Sequence, residues 1–359
     1  MKNFKIITML LLLLGFMACK KDKTEKKDQN AVANIFAGFN SSVFLKTDGS
    51  LWLSGVNYLE GGAVTYVTKP KFIMNNVKTV ALGSQHNLVL KTDNTLWAVG
   101  DNTYGQLGDG TNTKAITLKQ VMDNVKAVST WAYHTIILKT DATLWFSGGN
   151  SGGGIGVTTN TFKQIASDVL AISAGPSHSM FIKTDHTLWA VGANTYGAFG
   201  DGTDISTSAP KLIMADVKAV SAGAGYTMIL KNNNSLWATG DNGDGQLGVG
   251  TYANVKIPQQ IMTDVKDVSV LERHTLILKT DATLWATGYN GDGQLGDGTT
   301  TKINTPKQIT NNVLSISAGQ KHSLILKTDN SIWATGSNVA GELGDGTKTN
   351  KPTFTKVDL

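Results

Sequence analysis

The sequence has one cysteine, six prolines and one arginine, and each shortage excludes something. Because Cys19 is the only cysteine, no disulfide forms within the chain. Few prolines, 39 glycines and 16% charged residues fit many short strands joined by tight turns, while 41% hydrophobic residues suffice for a packed core. Arg273 is the only arginine, so the planar fork that recognises bases and phosphates is nearly absent.

The net charge of +5 does not indicate a nucleic-acid partner once it is located along the chain. Residues 1–30 hold seven lysines and three acidic residues, so they account for +4 of the total. Residues 31–359 therefore carry only +1. We expect no nucleic acid among the partners of this protein.

The amino terminus has the order of a secretory signal. Lys2 and Lys5 precede an apolar run over residues 6–14, which is too short for the roughly 20 residues that span a bilayer. Cys19 directly follows the small Ala18, an order that resembles a bacterial lipobox. That resemblance implies a lipoprotein signal peptide over residues 1–19, with cleavage just before Cys19, which is diacylated and becomes the new amino terminus. A buried free thiol in an ordinary helix is the alternative.

Residues 20–30 are almost all charged or polar and lack a periodic apolar face, so we expect a flexible tether. A lipid on Cys19 would then anchor the chain to the membrane of a bacterial envelope. We expect the outer membrane, with the protein facing either the periplasm or the cell surface.

Seven tryptophans mark an internal repeat in residues 31–359. The repeated tryptophans are 44 to 48 residues apart: Trp52, Trp97, Trp145, Trp189, Trp237, Trp285 and Trp333. Around each, three short segments alternate apolar and polar residues and end at Gly, Asn or Asp, and a fourth follows a glycine-rich turn. This pattern is typical of antiparallel strands. Four strands in each of seven copies predict an all-β, seven-bladed propeller.

The two ends of the repeated region predict how the ring closes. The first copy begins directly at the strand over residues 32–38, without a segment before it. Residues 351–357 have the character of such a segment. We therefore expect the carboxyl-terminal strand to complete the first blade, which would remove exposed strand edges.

The order Gly-x-x-His-Ser/Thr, then Trp-x-x-Gly-x-Asn-x-x-Gly-Gln-Leu-Gly, resembles the regulator of chromosome condensation repeat family over residues 31–359. The family's eukaryotic founder is an exchange factor that acts through an inserted β-wedge. No insertion of that size fits copies of 44 to 48 residues, so we do not expect exchange activity. A secreted bacterial β-lactamase inhibitory protein with the same seven-bladed form is a pure binder.

The repeated polar residues favour a structural role over chemistry. Histidine holds the same place in five copies, at His86, His134, His178, His274 and His322. Equivalent positions of a ring stay several ångströms apart, too far for one metal ion, so we expect these rings to fix loops by hydrogen bonds. The glycine-rich turns lack the signatures of phosphate and calcium loops. We expect no catalytic residue, metal or cofactor.

Symmetry breaks at the two residues before the histidine position. They read Phe39-Asn40, Ser84-Gln85, Ala132-Tyr133, Pro176-Ser177, Ala224-Gly225, Glu272-Arg273 and Gln320-Lys321. Equivalent loops of a ring must lie on one face, and loops on a rigid scaffold are where binding is usually placed. The candidate partner-binding residues are Phe39, Trp131, Tyr133, Glu272 and Arg273. Alternatively, Trp131 fills a gap in the third blade.

The sequence therefore predicts a monomeric, non-enzymatic binding scaffold on the bacterial envelope, with a protein or a glycan as partner. The alternative is an envelope enzyme acting on polysaccharide in the central funnel. Paired carboxylates about 5 to 10 Å apart at the axis would favour that enzyme.

Overall fold

A computed structural model describes residues 31–60, 65–149 and 158–359. These residues form 28 strands in seven four-stranded antiparallel sheets, which confirms the predicted all-β, seven-bladed propeller. No helix within the described ranges is long and apolar enough to cross a membrane. The signal peptide 1–19, the lipidation site Cys19 and the tether 20–30 lie outside the described residues, so their roles stay predictions.

Each blade is built from four consecutive strands, ordered from the innermost to the outermost. The strands of blades 1 to 3 are β1 (Val32–Ala37), β2 (Ser41–Lys46), β3 (Leu51–Asn57), β4 (Thr65–Met74), β5 (Val77–Leu82), β6 (His86–Lys91), β7 (Leu96–Gly100), β8 (Ala115–Met122), β9 (Val125–Thr130), β10 (His134–Lys139), β11 (Leu144–Gly148) and β12 (Thr159–Ala166). Blade 4 follows the same order with one short 3-10 turn, Thr195–Gly197, after its third strand.

The strands of blades 4 to 7 are β13 (Val169–Ala174), β14 (His178–Lys183), β15 (Leu188–Gly192), β16 (Thr207–Met214), β17 (Val217–Ala222), β18 (Tyr226–Lys231), β19 (Leu236–Gly240), β20 (Val255–Met262), β21 (Val265–Val270), β22 (His274–Lys279), β23 (Leu284–Gly288), β24 (Ile303–Thr310), β25 (Val313–Ala318), β26 (His322–Lys327), β27 (Ile332–Gly336) and β28 (Lys351–Val357). The alternating direction of the strands gives the ring two faces. The upper face carries the loops between the first and second and between the third and fourth strands of every blade. The lower face carries the hairpins and the links between blades.

The hydrophobic core lies between the blades. Val43 and Leu45 of blade 1, for example, pack with Val80 and Leu82 of blade 2. The alternating side chains of one sheet thus meet those of the next, and burial of this apolar surface holds neighbouring blades together. The hairpin turns between the second and third strands begin at segments such as Lys91-Thr92-Asp93, where the Thr95 amide donates to Asp93 Oδ1 at 3.0 Å.

The carboxyl-terminal strand does not complete the first blade, and that prediction is wrong. Blade 1 has its own outermost strand, β4, while β28 pairs with β27 at the edge of blade 7. A fourth strand follows each of the seven repeated tryptophans, so residues 351–357 supply the last one rather than a missing first one.

The ring closes instead through contacts of the same kind as those that join the other neighbouring blades. The Ala37 amide donates to Ser317 Oγ at 2.8 Å, and the Gln320 amide donates to the Gly38 carbonyl at 2.9 Å. Ile35 and Phe44 of blade 1 pack with Leu324 of blade 7. Closure therefore depends on side-chain packing and hydrogen bonds, with no strand shared between blades 1 and 7.

Candidate functional site

The seven variable loops all lie on the upper face, because each joins the end of an innermost strand to the second strand of its blade. Near the axis, Phe39 of blade 1 meets Trp131 of blade 3 edge to face, with 4.9 Å between ring centroids. Trp131 Nε1 donates to the carbonyl oxygen of Leu271 in blade 6 at 3.4 Å. Residues from blades 1, 3 and 6 meet only at the centre of the ring. Trp131 therefore covers the axis and does not fill a gap within the third blade.

Tyr133 lies beside this axial group and contacts the preceding blade. Its ring meets that of Tyr104 edge to face, with 5.1 Å between centroids. Tyr104 comes from the glycine-rich turn of blade 2 and is 39% exposed, whereas Trp131 and Tyr133 are partly buried. Trp131, Tyr133 and Tyr104 together give the upper face an aromatic group, which we call the aromatic patch.

Glu272 and Arg273 are held by neighbours within the chain. Arg273 Nε lies 2.9 Å from Asp244 Oδ2, and its guanidinium stacks over Tyr289 at 5.7 Å from the ring centroid. Burial raises the pKa of the half-buried Glu272 carboxyl, while a hydrogen bond with the Gln320 side chain opposes the shift. The structure brings these two residues to the same face as the aromatic patch.

Some of the variable loop residues contact residues of the preceding blade that also differ between copies. In blades 3 and 6 the second residue of the variable pair contacts the glycine-rich turn of the preceding blade, Tyr133 with Tyr104 and Arg273 with Asp244. A β-carbon on Gly225 would come within 3.2 Å of the Tyr196 ring, which places Tyr196 against that loop. The sequence pattern marks Tyr104 and Leu271 as variable but does not assign them to this surface, and it does not mark Asp244, because all three lie far along the chain from their contacts.

The repeated histidines link blades rather than loops alone. Each Nε2 lies 2.9 to 3.3 Å from a hydroxyl of the following blade: His86 to Thr135, His134 to Ser179, His178 to Thr227, His274 to Ser323 and His322 to Ser42. In the described parts of the chain, no group of three or more metal-ligating side chains is present. The histidines thus act as separate structural ties.

The seven innermost strands line the central channel, and they contain one carboxylate. Asp267 of β21 is the only acidic residue in these seven strands, all of which are described. Burial raises the pKa of its carboxyl, and the nearby Lys266 and Lys218 act in the opposite direction. A glycosidase pair requires a second carboxylate, and the innermost strands do not provide it.

Two models of one family match the repeats. Both are described as the regulator of chromosome condensation (RCC1) repeat; one matches residues 77–106, 169–198, 217–246 and 313–342, and the other matches residues 185–230, 233–278 and 281–326. Together they cover more than half of the chain. The chain belongs to the RCC1 repeat family. No curated protein matches it by sequence.

Three solved structures share the fold of this RCC1-repeat chain. Prp20p from Saccharomyces cerevisiae is 18% identical with a TM-score of 0.77, and the match covers 88% of each chain. Yeast RCC1 (Prp20) bound to Kap60 is 17% identical with a TM-score of 0.75, covering 97% of this chain and 91% of that one. Human WBSCR16 is 20% identical with a TM-score of 0.72, covering 82% and 85%. The two yeast studies describe protein binding, to Gsp1p and histones and to Kap60.

Proposed function

We propose that this RCC1-repeat protein is a non-enzymatic binding scaffold, anchored to the bacterial envelope by a lipid on Cys19, whose upper face binds a protein or glycan partner. The observation that carries the proposal is the aromatic patch: Trp131 and Tyr133 break the repeat on the upper face, Trp131 lies near the axis against Phe39, and Tyr133 contacts Tyr104 of blade 2. Aromatic side chains of this kind dominate the energetics of interfaces. The protein binding described for the yeast relatives supports a protein as the first choice.

The envelope enzyme remains the competing function, and the channel wall favours the scaffold over it. Hydrolysis of a glycosidic bond uses two carboxyl groups, whereas the seven innermost strands carry Asp267 alone. The lipid anchor is proposed from the order of residues 1–19, which ends in Ala18 and Cys19. The outer membrane is its proposed location, with either orientation.

The test is quantitative cross-linking in intact cells with the acylated protein. Trp131→Ala/Tyr133→Ala is expected to lose the cross-linked partner while keeping its circular dichroism spectrum, because the accessible parts of these partly buried rings supply contact area. Tyr66→Ala is the matched control, since Tyr66 is 60% exposed on the outermost strand β4, away from the patch. Equal recovery of the partner by the double variant and by the control would contradict the proposal. Loss of folding would show that the two rings act only in packing.

A further inference from the structure

At the junction between blades 4 and 5, the upper face lacks a polar pair that three other blades have. In blades 2 and 5 a glutamine of the glycine-rich turn donates to an aspartate five residues earlier, as Gln106 to Asp101 at 2.7 Å and Gln246 to Asp241 at 2.8 Å. Blade 7 keeps a pair of reversed polarity, in which Ser337 donates to Glu342 at 2.8 Å. Blade 4 has Ala193 and Ala198 at these two positions. Blade 4 therefore lacks the paired polar side chains that blades 2, 5 and 7 have at these two positions.

The neighbouring loop is also small at this junction. The variable pair of blade 5 is Ala224-Gly225, the smallest of the seven. A cleft of about 250 Å³ results between blades 4 and 5, bounded by the two alanines, the blade 5 loop, His178 and Tyr196. We call it the 4/5 cleft. Its Tyr196 wall is half exposed, with 50% of the residue's surface accessible.

The missing glutamine also changes the backbone of the wall. The Gln106 and Gln246 side-chain oxygens accept hydrogen bonds from the amides of Tyr104 and Asp244, both at 2.9 Å. Ala198 cannot supply this bond. The blade 4 turn is a 3-10 turn in which Tyr196 has a φ of 65°, a left-handed conformation that is rare for a bulky residue. Backbone strain of this kind is concentrated at binding sites.

The chemistry of the cleft selects its occupant. None of its nine lining residues is acidic, lysine or arginine, so a buried charge would find no opposite charge. Five of the nine are Ala, Gly or Pro, which offer no side-chain polar atom to the hydroxyls of a sugar. His178 Nε2 is already bonded to Thr227 at 3.3 Å. The other four, Ser177, His178, Thr195 and Tyr196, carry polar atoms, so it is the larger apolar share of the lining that favours an uncharged apolar group.

We propose that the 4/5 cleft receives one uncharged apolar side chain, aliphatic or aromatic, from a protein partner. Its volume suits a single side chain rather than a drug-sized ligand, which usually occupies about 300 to 1,000 Å³. The cleft lies on the same face as the aromatic patch, so this inference rests on the proposed function and specifies how a partner is anchored. An anchor side chain in a pocket is the usual centre of a protein interface.

The test uses model compounds and needs no identified partner. The probes are N-acetyl-leucinamide, N-acetyl-tryptophanamide, N-acetyl-lysinamide and methyl β-glucoside, titrated by NMR against the full chain carrying Cys19→Ala. The two apolar probes are expected to bind with a Kd of about 1 mM, and the other two are not. Binding of the glucoside without the apolar probes, or no binding of any probe at about 10 mM, would overturn the proposal.

Two variants locate the binding. Ala193→Asp/Ala198→Gln rebuilds the hydrogen-bonded pair of blades 2 and 5, so it fills the cleft and is expected to raise the Kd at least about tenfold, a change of about 1.4 kcal/mol. Ser337→Asp/Glu342→Gln creates the same pair in blade 7 and is the matched control, with unchanged affinity expected. Equal binding by both variants would place the probes elsewhere.

A third variant provides a second test of the cleft, and the probes make this test independent of the cross-linking experiment. Ala224→Leu narrows the cleft from the blade 5 side and is also expected to weaken binding of the apolar probes. It serves as the test variant if Ala193→Asp/Ala198→Gln fails to fold. Because the probes report on the cleft alone, failure of the cross-linking experiment leaves this result intact. Probe binding likewise does not establish a partner.

Discussion

The five repeated histidines show how one side chain joins two blades. For four of the five histidines, the hydroxyl that Nε2 contacts donates its own hydrogen to a backbone carbonyl, as Thr135 does to Gln106 at 2.8 Å and Ser323 to Gln294 at 2.7 Å. A carbonyl only accepts, so the hydroxyl must accept from the histidine. The imidazole rings of these histidines are therefore in the neutral tautomer that carries its hydrogen on Nε2.

Stability is expected to fall between pH 7.5 and 5.5 because of these rings. Burial lowers the pKa of all five to about 3 or about 4, below the value near 6.5 of the unfolded chain. The unfolded chain therefore binds more protons below pH 6.5, and the folded state loses about 1 kcal/mol per histidine at pH 5.5. Urea unfolding at the two pH values measures this loss.

The tyrosine of blade 5 suggests the control for that experiment. Tyr226 occupies the histidine position, and its hydroxyl donates to the His274 carbonyl at 2.9 Å. His178→Tyr should keep a tie between blades and remove one titrating group, so its stability should fall less with pH. An unchanged pH dependence would argue against the histidines. Carboxylates contribute little here, because their unfolded pKa values lie near 4.

The glycine of the repeated Trp-x-x-Gly segment is required by a close backbone contact. Gly288 has a φ of +108°, and a β-carbon there would lie 2.6 Å from the Arg273 carbonyl oxygen. Gly288→Ala is expected to cost about 3 kcal/mol or more in the free energy of unfolding. Gly298→Ala is the control: its φ is +84°, but the nearest atom is 3.8 Å away. The control should cost about 1 kcal/mol, so equal losses would contradict this reading.

At the scale of the strand, the outermost strand assigns the carboxyl terminus to blade 7. β28 pairs with β27 along Ile332 to Gly336, and Asp297 of blade 6 forms a bridge with Thr353 of the same strand. The edge of β4 in turn receives the glycine-rich turn of blade 7, since the Gly346 amide donates to the Thr68 carbonyl at 2.8 Å. Within the described residues, five outermost strands accept a backbone hydrogen bond of this kind from the turn of the preceding blade.

Removal of residues 351–359 is expected to loosen blade 7 and the turn of blade 6. Hydrogen exchange should accelerate over β27 and around Asp297, because their partners in β28 are gone. The strands β1 to β3 of blade 1 should keep their protection. Faster exchange in β1 to β3 with β27 unchanged would instead support a terminal strand shared with the first blade.

At the scale of the molecule, the place where the chain enters the ring favours one orientation of an anchored propeller. β1 runs from the lower face to the upper face, and the Ala31 carbonyl accepts a hydrogen bond from the Thr47 amide of a lower-face hairpin. The chain therefore enters the propeller at its lower face. An anchor at Cys19 would leave the aromatic patch and the 4/5 cleft pointing away from the membrane.

That orientation can be measured with single introduced cysteines, since Cys19 is the only native one and is expected to be acylated. A fluorophore at Asp281→Cys, on a lower-face hairpin, should be quenched by brominated lipids in vesicles carrying the acylated protein. The same fluorophore at Gln85→Cys, on the upper face, should be quenched less. Cys19→Ala should abolish both palmitate labelling and vesicle binding. Stronger quenching at Gln85→Cys would reverse the orientation.

Much of the fold was predictable because local patterns carried it. The tryptophan spacing gave the number of blades, and the alternating segments gave the strands, as at 313–319 and 351–357. The placing of residues 351–357 in the first blade was wrong, because strands of equal character differ only in which neighbour they pair with. Counting one fourth strand after each tryptophan, including β4 after Trp52, would have avoided that error.

The sequence by itself determined seven equivalent sheets and the positions at which the copies differ, because strand period and turn chemistry act between residues close in the chain. Only the tertiary structure decided that Phe39, Trp131 and Leu271 meet over the axis, and that two alanines and a small loop open the 4/5 cleft. These contacts join different blades, some of them more than 100 residues apart. Such contacts follow from the curvature of the whole ring, which no single repeat contains.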